Sequence, residues 1–143
     1  MSAKVDQFCE NLRDRLNTID GRLKSVRANL QALPEQGEKA LREKLDGARH
    51  KLQAQNERVD RIRANLKARA EQKIQDTEEA ISDWRAKRET RKLSARADRE
   101  EAYAADAVDL AAASIDEAEL AILDAMVARI DAEAAQSSSP PSR

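Results

Sequence analysis

The stretch Leu30-Gln31-Ala32-Leu33-Pro34-Glu35-Gln36-Gly37-Glu38-Lys39-Ala40-Leu41 decides how the chain is read. Proline disfavours helix at the residue before it, and glycine permits a turn. Leucines spaced for a helix stand on both sides. One helix is therefore expected to stop near Leu33 and a second to start near Glu38.

Upstream of the turn the apolar residues step by four and three without a miss: Val5, Cys9, Leu12, Leu16, Ile19, Leu23, Val26, Leu30 and Leu33. This is a heptad seam, with Cys9, Leu16, Leu23 and Leu30 in one register and Leu12, Ile19, Val26 and Leu33 in the other. Downstream a second seam runs through Leu41, Leu45, Ala48, Leu52, Gln55, Val59, Ile62 and Leu66. Two seams joined by a short loop make an antiparallel helical hairpin. Folding about the turn sets Leu30 against Leu41, Val26 against Leu45, Leu23 against Ala48 and Ile19 against Leu52. Further along, Leu12 faces Val59, Cys9 faces Ile62 and Val5 faces Leu66. Only Leu16 meets a polar residue, Gln55, which would help fix register at some cost in stability.

The two helices also resemble each other in sequence. DGRLKSVRANLQALPEQ (20–36) and NERVDRIRANLKARAEQ (56–72) share eight of seventeen residues, including the tetrapeptide RANL. The second copy has Ala70 and Lys73 where the first has Pro34 and Gly37, so its helix should run on. Past Leu66 the seam stutters through Ala70 and Ile74 before Thr77, Ile81 and Trp84 resume it, which implies a change of partner.

The new partner is expected to be a third helix with Ala104, Val108, Ala111, Ile115, Ala118, Ile122 and Ala125 in its seam. Tyr103, Leu110, Leu123, Met126 and Ile130 widen its apolar face. The break before it is placed at Ser94–Glu101, with Asp98 and Glu101 resembling a helix N-terminus. That turn pairs Trp84 with Ala111, Ile81 with Ile115, Thr77 with Ala118 and Ile74 with Ile122. The alternative is one continuous helix from 38 to 135, roughly 150 Å long.

The expected fold is all-α: a coiled-coil hairpin with a long second helix and a third folding back. It forms one elongated domain over 1–135, with helices at 3–33, 38–96 and 99–135. The tail 136–143, rich in Ser and Pro, is expected to be disordered.

Composition agrees with a narrow helical seam. Of 143 residues, 37% are charged and 2% aromatic, with three glycines and three prolines. So few large apolar groups cannot fill a wide core. No window approaches 18 uninterrupted apolar residues, so no membrane-spanning helix is expected. The N-terminus has no apolar signal-peptide core, and the single Cys9 excludes an internal disulfide. A reducing cytoplasm is the expected location. The abundance of Ala and Arg suits a bacterial protein.

Charge is unevenly spread. Residues 1–33 carry +2, residues 34–99 carry +5 and residues 100–143 carry −8. The basic run Arg85, Lys87, Arg88, Arg91, Lys92, Arg96 and Arg99 directly precedes the acidic third helix, and packing of the two is expected to bring opposite charges together. The run is also a candidate interaction patch. Nucleic acid is not the expected partner, because Glu89 and Asp98 interrupt the run and the net charge of the chain is −1.

The sequence offers little for catalysis. The only histidine, His50, has no Cys or His at metal-ligand spacing, and Cys9 sits in the seam as a small hydrophobe. The carboxylates Asp106, Asp109, Asp116, Glu117, Glu119, Asp124 and Asp131 have no histidine with which to form a helical di-metal site. No Gly-rich phosphate loop or nucleophile triad is present. No cofactor or metal is expected.

A non-enzymatic coiled-coil protein is the expectation: an adaptor, spacer or assembly module that binds a protein partner or its own copies. The alternative is an amphipathic coat for a lipid or polymer-granule surface. The Ala-rich amphipathic helices with few aromatics resemble in type those of apolipoproteins and of the phasins that cover bacterial storage granules. The third helix is the best candidate for such a surface.

Overall fold

The computed structural model describes residues 2–138. The protein is all-α: the described residues form four helices and no strand. They are α1 (Ala3–Gln36), α2 (Glu38–Gln75), α3 (Glu78–Ala86) and α4 (Thr90–Ser138).

The first turn lies where proline and glycine place it, and it is tighter than expected. α1 runs three residues past Leu33 and ends with Pro34 inside its last turn. Proline there forfeits one intrahelical hydrogen bond and the helix still completes. Gly37 alone separates α1 from α2. It has φ +93°, a conformation that L side chains rarely adopt. Its N–H donates to the Leu33 carbonyl at 3.2 Å, closing α1, and its carbonyl accepts from Leu41 N–H at 3.2 Å, opening α2.

The second reversal corrects the expected one. Ser94–Glu101 lies within α4, and the helix breaks fall at Asp76–Thr77 and at Lys87–Glu89. Thr77 caps α3: its backbone is extended and its hydroxyl accepts from Ala80 N–H at 3.1 Å. Glu78 and Glu79 follow in the first turn, where acidic groups favour the helix dipole. Thr77, expected in the seam, thus takes the cap.

α3 ends in a Schellman motif. Glu89 N–H donates to Trp84 O at 2.9 Å and Arg88 N–H to Arg85 O at 3.3 Å. Arg88 occupies the left-handed position at φ 52°. The expected helices at 38–96 and 99–135 are therefore replaced by α2, α3 and α4, and α2 and α4 are separate helices. Gln136, Ser137 and Ser138, expected in a disordered tail, are helical. The rest of that tail, 139–143, lies outside the described residues.

The chain divides into two compact units, Met1–Ile19 with Asn56–Ala113, and Asp20–Gln55 with Ser114–Arg143. In the first, α2 and α4 run antiparallel: Arg58 bonds Asp109, Arg69 bonds Asp106, Lys73 bonds Glu100 and Asp76 bonds Arg99. Val59, Ile62, Ala112 and Ala113 are its buried apolar residues. The Lys73 ammonium also lies 4.5 Å from the Tyr103 ring centre. In the second unit Leu33, Leu41, Leu45, Ala48 and Leu123 form the core, with Ala40, Leu120, Met126, Val127 and Ile130 packed against it. α2 and α4 are again antiparallel, with Arg42 on Asp131 and Arg49 on Asp124.

The α1 seam is only half used. Leu12, Ile19 and Val26 are half-buried and Leu33 is buried, whereas Val5, Cys9, Leu16, Leu23 and Leu30 are exposed. Those five do not sit in the closed seam expected of them. In the second unit Leu123 and its neighbours on α4 share the core with Leu41, Leu45 and Ala48, so α2's apolar face is no longer reserved for α1. Among the other seam residues, Val59 and Ile62 are buried and Leu52 and Leu66 half-buried. Ile74, assigned to Ile122, is 78% exposed.

Candidate functional site

Three groupings of side chains carry the chemistry of the surface. The first is acidic and occupied. Asp116 is buried and accepts from Arg22 of α1 at 2.8 Å and from Lys51 of α2 at 3.0 Å. In the other unit Asp109 accepts from Arg15 at 2.5 Å and lies 3.7 Å from Arg58. The arrangement repeats at a seven-residue step on all three helices: Arg15 and Arg22, Lys51 and Arg58, Asp109 and Asp116. Each time one carboxylate of α4 ties α1 and α2 to it. Asp106, Asp124 and Asp131 hold further α2 arginines. Arg42, hydrogen-bonded by Glu38 and by Asp131, has its pKa raised above the ordinary guanidinium value.

These pairings correct the expected use of the acidic helix. Its carboxylates bind cations of α1 and α2, whereas the run from Arg85 to Arg99 was expected to take them. Of that run, among the described residues, Arg99 alone pairs across helices with a carboxylate, Asp76 at 2.6 Å, and Lys87, which caps α3, pairs with Asp83 of that helix at 3.2 Å.

The second grouping is the α3–α4 turn. Arg85, Lys87, Arg88, Arg91 and Lys92 are exposed and Arg96 is half-buried. Lys92 lies 5.9 Å from the Trp84 ring centre. Among the described residues, Arg85, Arg88, Arg91 and Arg96 have no carboxylate within 4.0 Å. A shallow open hollow lined by Glu78, Ile81, Ser82, Arg85, Leu93 and Arg96 lies beside them.

The third grouping is the outer face of α1. Leu16 is 51% exposed, and Leu23 and Leu30 are each 41% exposed. With the free, exposed Cys9 they recur every seven residues. Residues four further on sit about 40° around the helix. There the column reads Asp6, Arg13, Asp20 and Arg27, all exposed and alternating in sign. Of these, Asp20 bonds its own Lys24 at 3.0 Å.

No group of three or more His, Cys, Asp or Glu able to hold a metal ion occurs among the described residues. His50 is exposed. Among the described residues, no helix is long and apolar enough to cross a membrane.

The basic run can be read directly from the sequence as a cluster of cations, whereas the heptad spacing puts all nine α1 residues in one seam and does not single out the outward stripe. The clamps of Asp109 and Asp116 were missed. Their signal is the seven-residue spacing of Arg15 and Arg22 along one side of α1, which shows only once the helix is turned. Arg88's left-handed backbone has no sequence signal, since glycine or asparagine usually marks such a position. No family model, curated protein or solved structure matches this chain.

Proposed function

We propose that the protein is a non-enzymatic coiled-coil assembly module in which α1 pairs with α1 of a second copy, antiparallel, about Leu16. The observation that carries this is the exposed register Cys9, Leu16, Leu23 and Leu30. Apolar residues repeating every seven positions fit a partner helix of the same pitch. In this reading the inward register, Leu12, Ile19, Val26 and Leu33, holds α1 in place.

Charge selects the partner and its direction. With Leu16 on the two-fold axis, Cys9 faces Leu23 of the second copy. The flanking column then sets Arg13 beside Asp20 and Asp6 beside Arg27, each twice. One step further out, Glu10 comes beside Lys24. These three kinds of pair are of opposite sign, so a second copy complements this side of the stripe. A parallel pairing in register brings identical residues level and loses this. Exposed pairs stabilise weakly, and their main effect is to fix orientation.

Sedimentation equilibrium tests the proposal. Against a 16.0 kDa chain, a dimer has twice that mass. Leu16→Glu with Leu23→Glu is expected to give a monomer with an unchanged helical signal. A monomeric parent chain at high micromolar concentration would end the proposal.

The coat reading fits less well. In the second unit α4's Leu120, Leu123, Met126, Val127 and Ile130 serve the core, so a surface would have to draw them out of it.

A further inference from the structure

We propose that the α3–α4 turn is a phosphate-binding tip that takes the backbone of duplex nucleic acid without sequence preference. It is independent of self-association through α1. From Trp84 to Ala97 the chain carries six cations, Arg85, Lys87, Arg88, Arg91, Lys92 and Arg96, against one carboxylate, Glu89. The carboxylates that precede them on α3 are Glu78, Glu79 and Asp83, of which Asp83 is held by Lys87.

Six arginines of α1 and α2 are used differently from this cluster. Arg15, Arg22, Arg42, Arg49, Arg58 and Arg69 all bond carboxylates of α4. At the turn, among the described residues, four arginines within twelve residues have no carboxylate within 4.0 Å. Their forked guanidiniums suit phosphodiester oxygens.

Arg88 adds a second observation. It stands in the left-handed position of a Schellman motif, where glycine is the favoured residue. A bulky cation is kept there against its backbone preference, and strain of that kind gathers at binding sites. The φ of 52° also sets Arg88 at the bend between two helices, with Arg85 behind it and Arg91 ahead.

The apolar groups favour nucleic acid over a membrane. Trp84, Ile81 and Leu93 are half-buried, and Lys92 lies over the Trp84 ring. A helix that rests in a lipid interface needs an exposed apolar face, and the turn has none. A sugar–phosphate backbone needs only charge at the right density.

The test is fluorescence anisotropy of the full chain with a fluorescein-labelled 20-base-pair DNA duplex, repeated across salt concentrations. Saturable binding is expected, weakening with salt at a log–log slope of about −3 to −4 for roughly four phosphates neutralised. Arg85, Arg88, Arg91 and Arg96 changed together to Gln should weaken binding at least ~10-fold at low salt and flatten the slope. Lys39, Lys44, Arg61 and Lys67 changed together to Gln remove the same charge from exposed positions elsewhere and should change affinity less than ~3-fold. Arg88→Gly separates binding from folding, because it should weaken binding while raising the melting temperature. The proposal is overturned by absence of binding at low salt or by equal loss in both quadruple variants. Preferential binding to vesicles of anionic phospholipid over the duplex overturns it as well.

Discussion

Asp116 ties all three long helices together in its unit. It is a buried carboxylate that receives a cation from α1 and another from α2. Replacing it with Ala leaves Arg22 and Lys51 to recover their hydration at the edge of the unit. Because both cations keep solvent contact, Asp116→Ala is expected to lower stability by about 1–3 kcal/mol, below the cost of breaking a fully buried pair. Urea unfolding followed by circular dichroism measures this. Arg88 is expected to act in the opposite direction. Arg88→Gly removes a left-handed L-residue and should raise stability by about 0.5–1 kcal/mol, read as a melting temperature higher by a few degrees. The sequence marks neither position. A carboxylate among many on an Ala-rich helix is distinguished only by the two cations that reach it, and both come from residues more than sixty positions away.

At the level of elements, the two helix breaks differ in how openly the sequence announces them. Pro34 and Gly37 punctuate the first, and the turn lies where they stand. The second has no glycine or proline. It is made by the Thr77 cap followed by Glu78 and Glu79, and by the left-handed Arg88. Thr77 also fits the apolar spacing of the preceding seam, which hides its role as a cap. Thr77→Ala is expected to cost about 1 kcal/mol and to fray α3 first, visible as faster amide exchange in 78–81. Gly37→Ala is expected to cost about 1–2 kcal/mol although an added methyl meets nothing within 4 Å, because the strain lies in the φ of +93°. Moving the reversal from 94–101 to 76–89 sets a new register for α4 and so changes which acids meet which bases. The opposite charges expected to join α4 come instead from α1 and α2, and among the described residues Arg85, Arg88, Arg91 and Arg96 of the basic run have no carboxylate within 4.0 Å.

For the molecule as a whole, the heptad pattern was legible and its division between internal and external partners was not. Nine residues of α1 share one spacing, and nothing in that spacing says that Leu12, Ile19 and Val26 turn inward while Cys9, Leu16, Leu23 and Leu30 turn out. A third helix decides it, since α4 contributes Leu123 to the core around Leu41 and Leu45. Leu123→Ala should therefore cost about 2–5 kcal/mol, whereas Leu23→Ala should leave the chain's own fold nearly unchanged and weaken its dimer. Comparing unfolding midpoints at low and high protein concentration separates the two effects.

The antiparallel pairing of α1 about Leu16 is tested most directly by disulfide trapping under mild oxidation. The double substitution Cys9→Ser with Leu16→Cys is expected to yield a covalent dimer on a non-reducing gel, because residue 16 meets its own copy across the two-fold axis. The parent chain, whose Cys9 faces Leu23, should stay uncrosslinked at the same concentration. A parent chain that links through Cys9 as readily as the variant links through position 16, or a variant that does not link, would contradict the account.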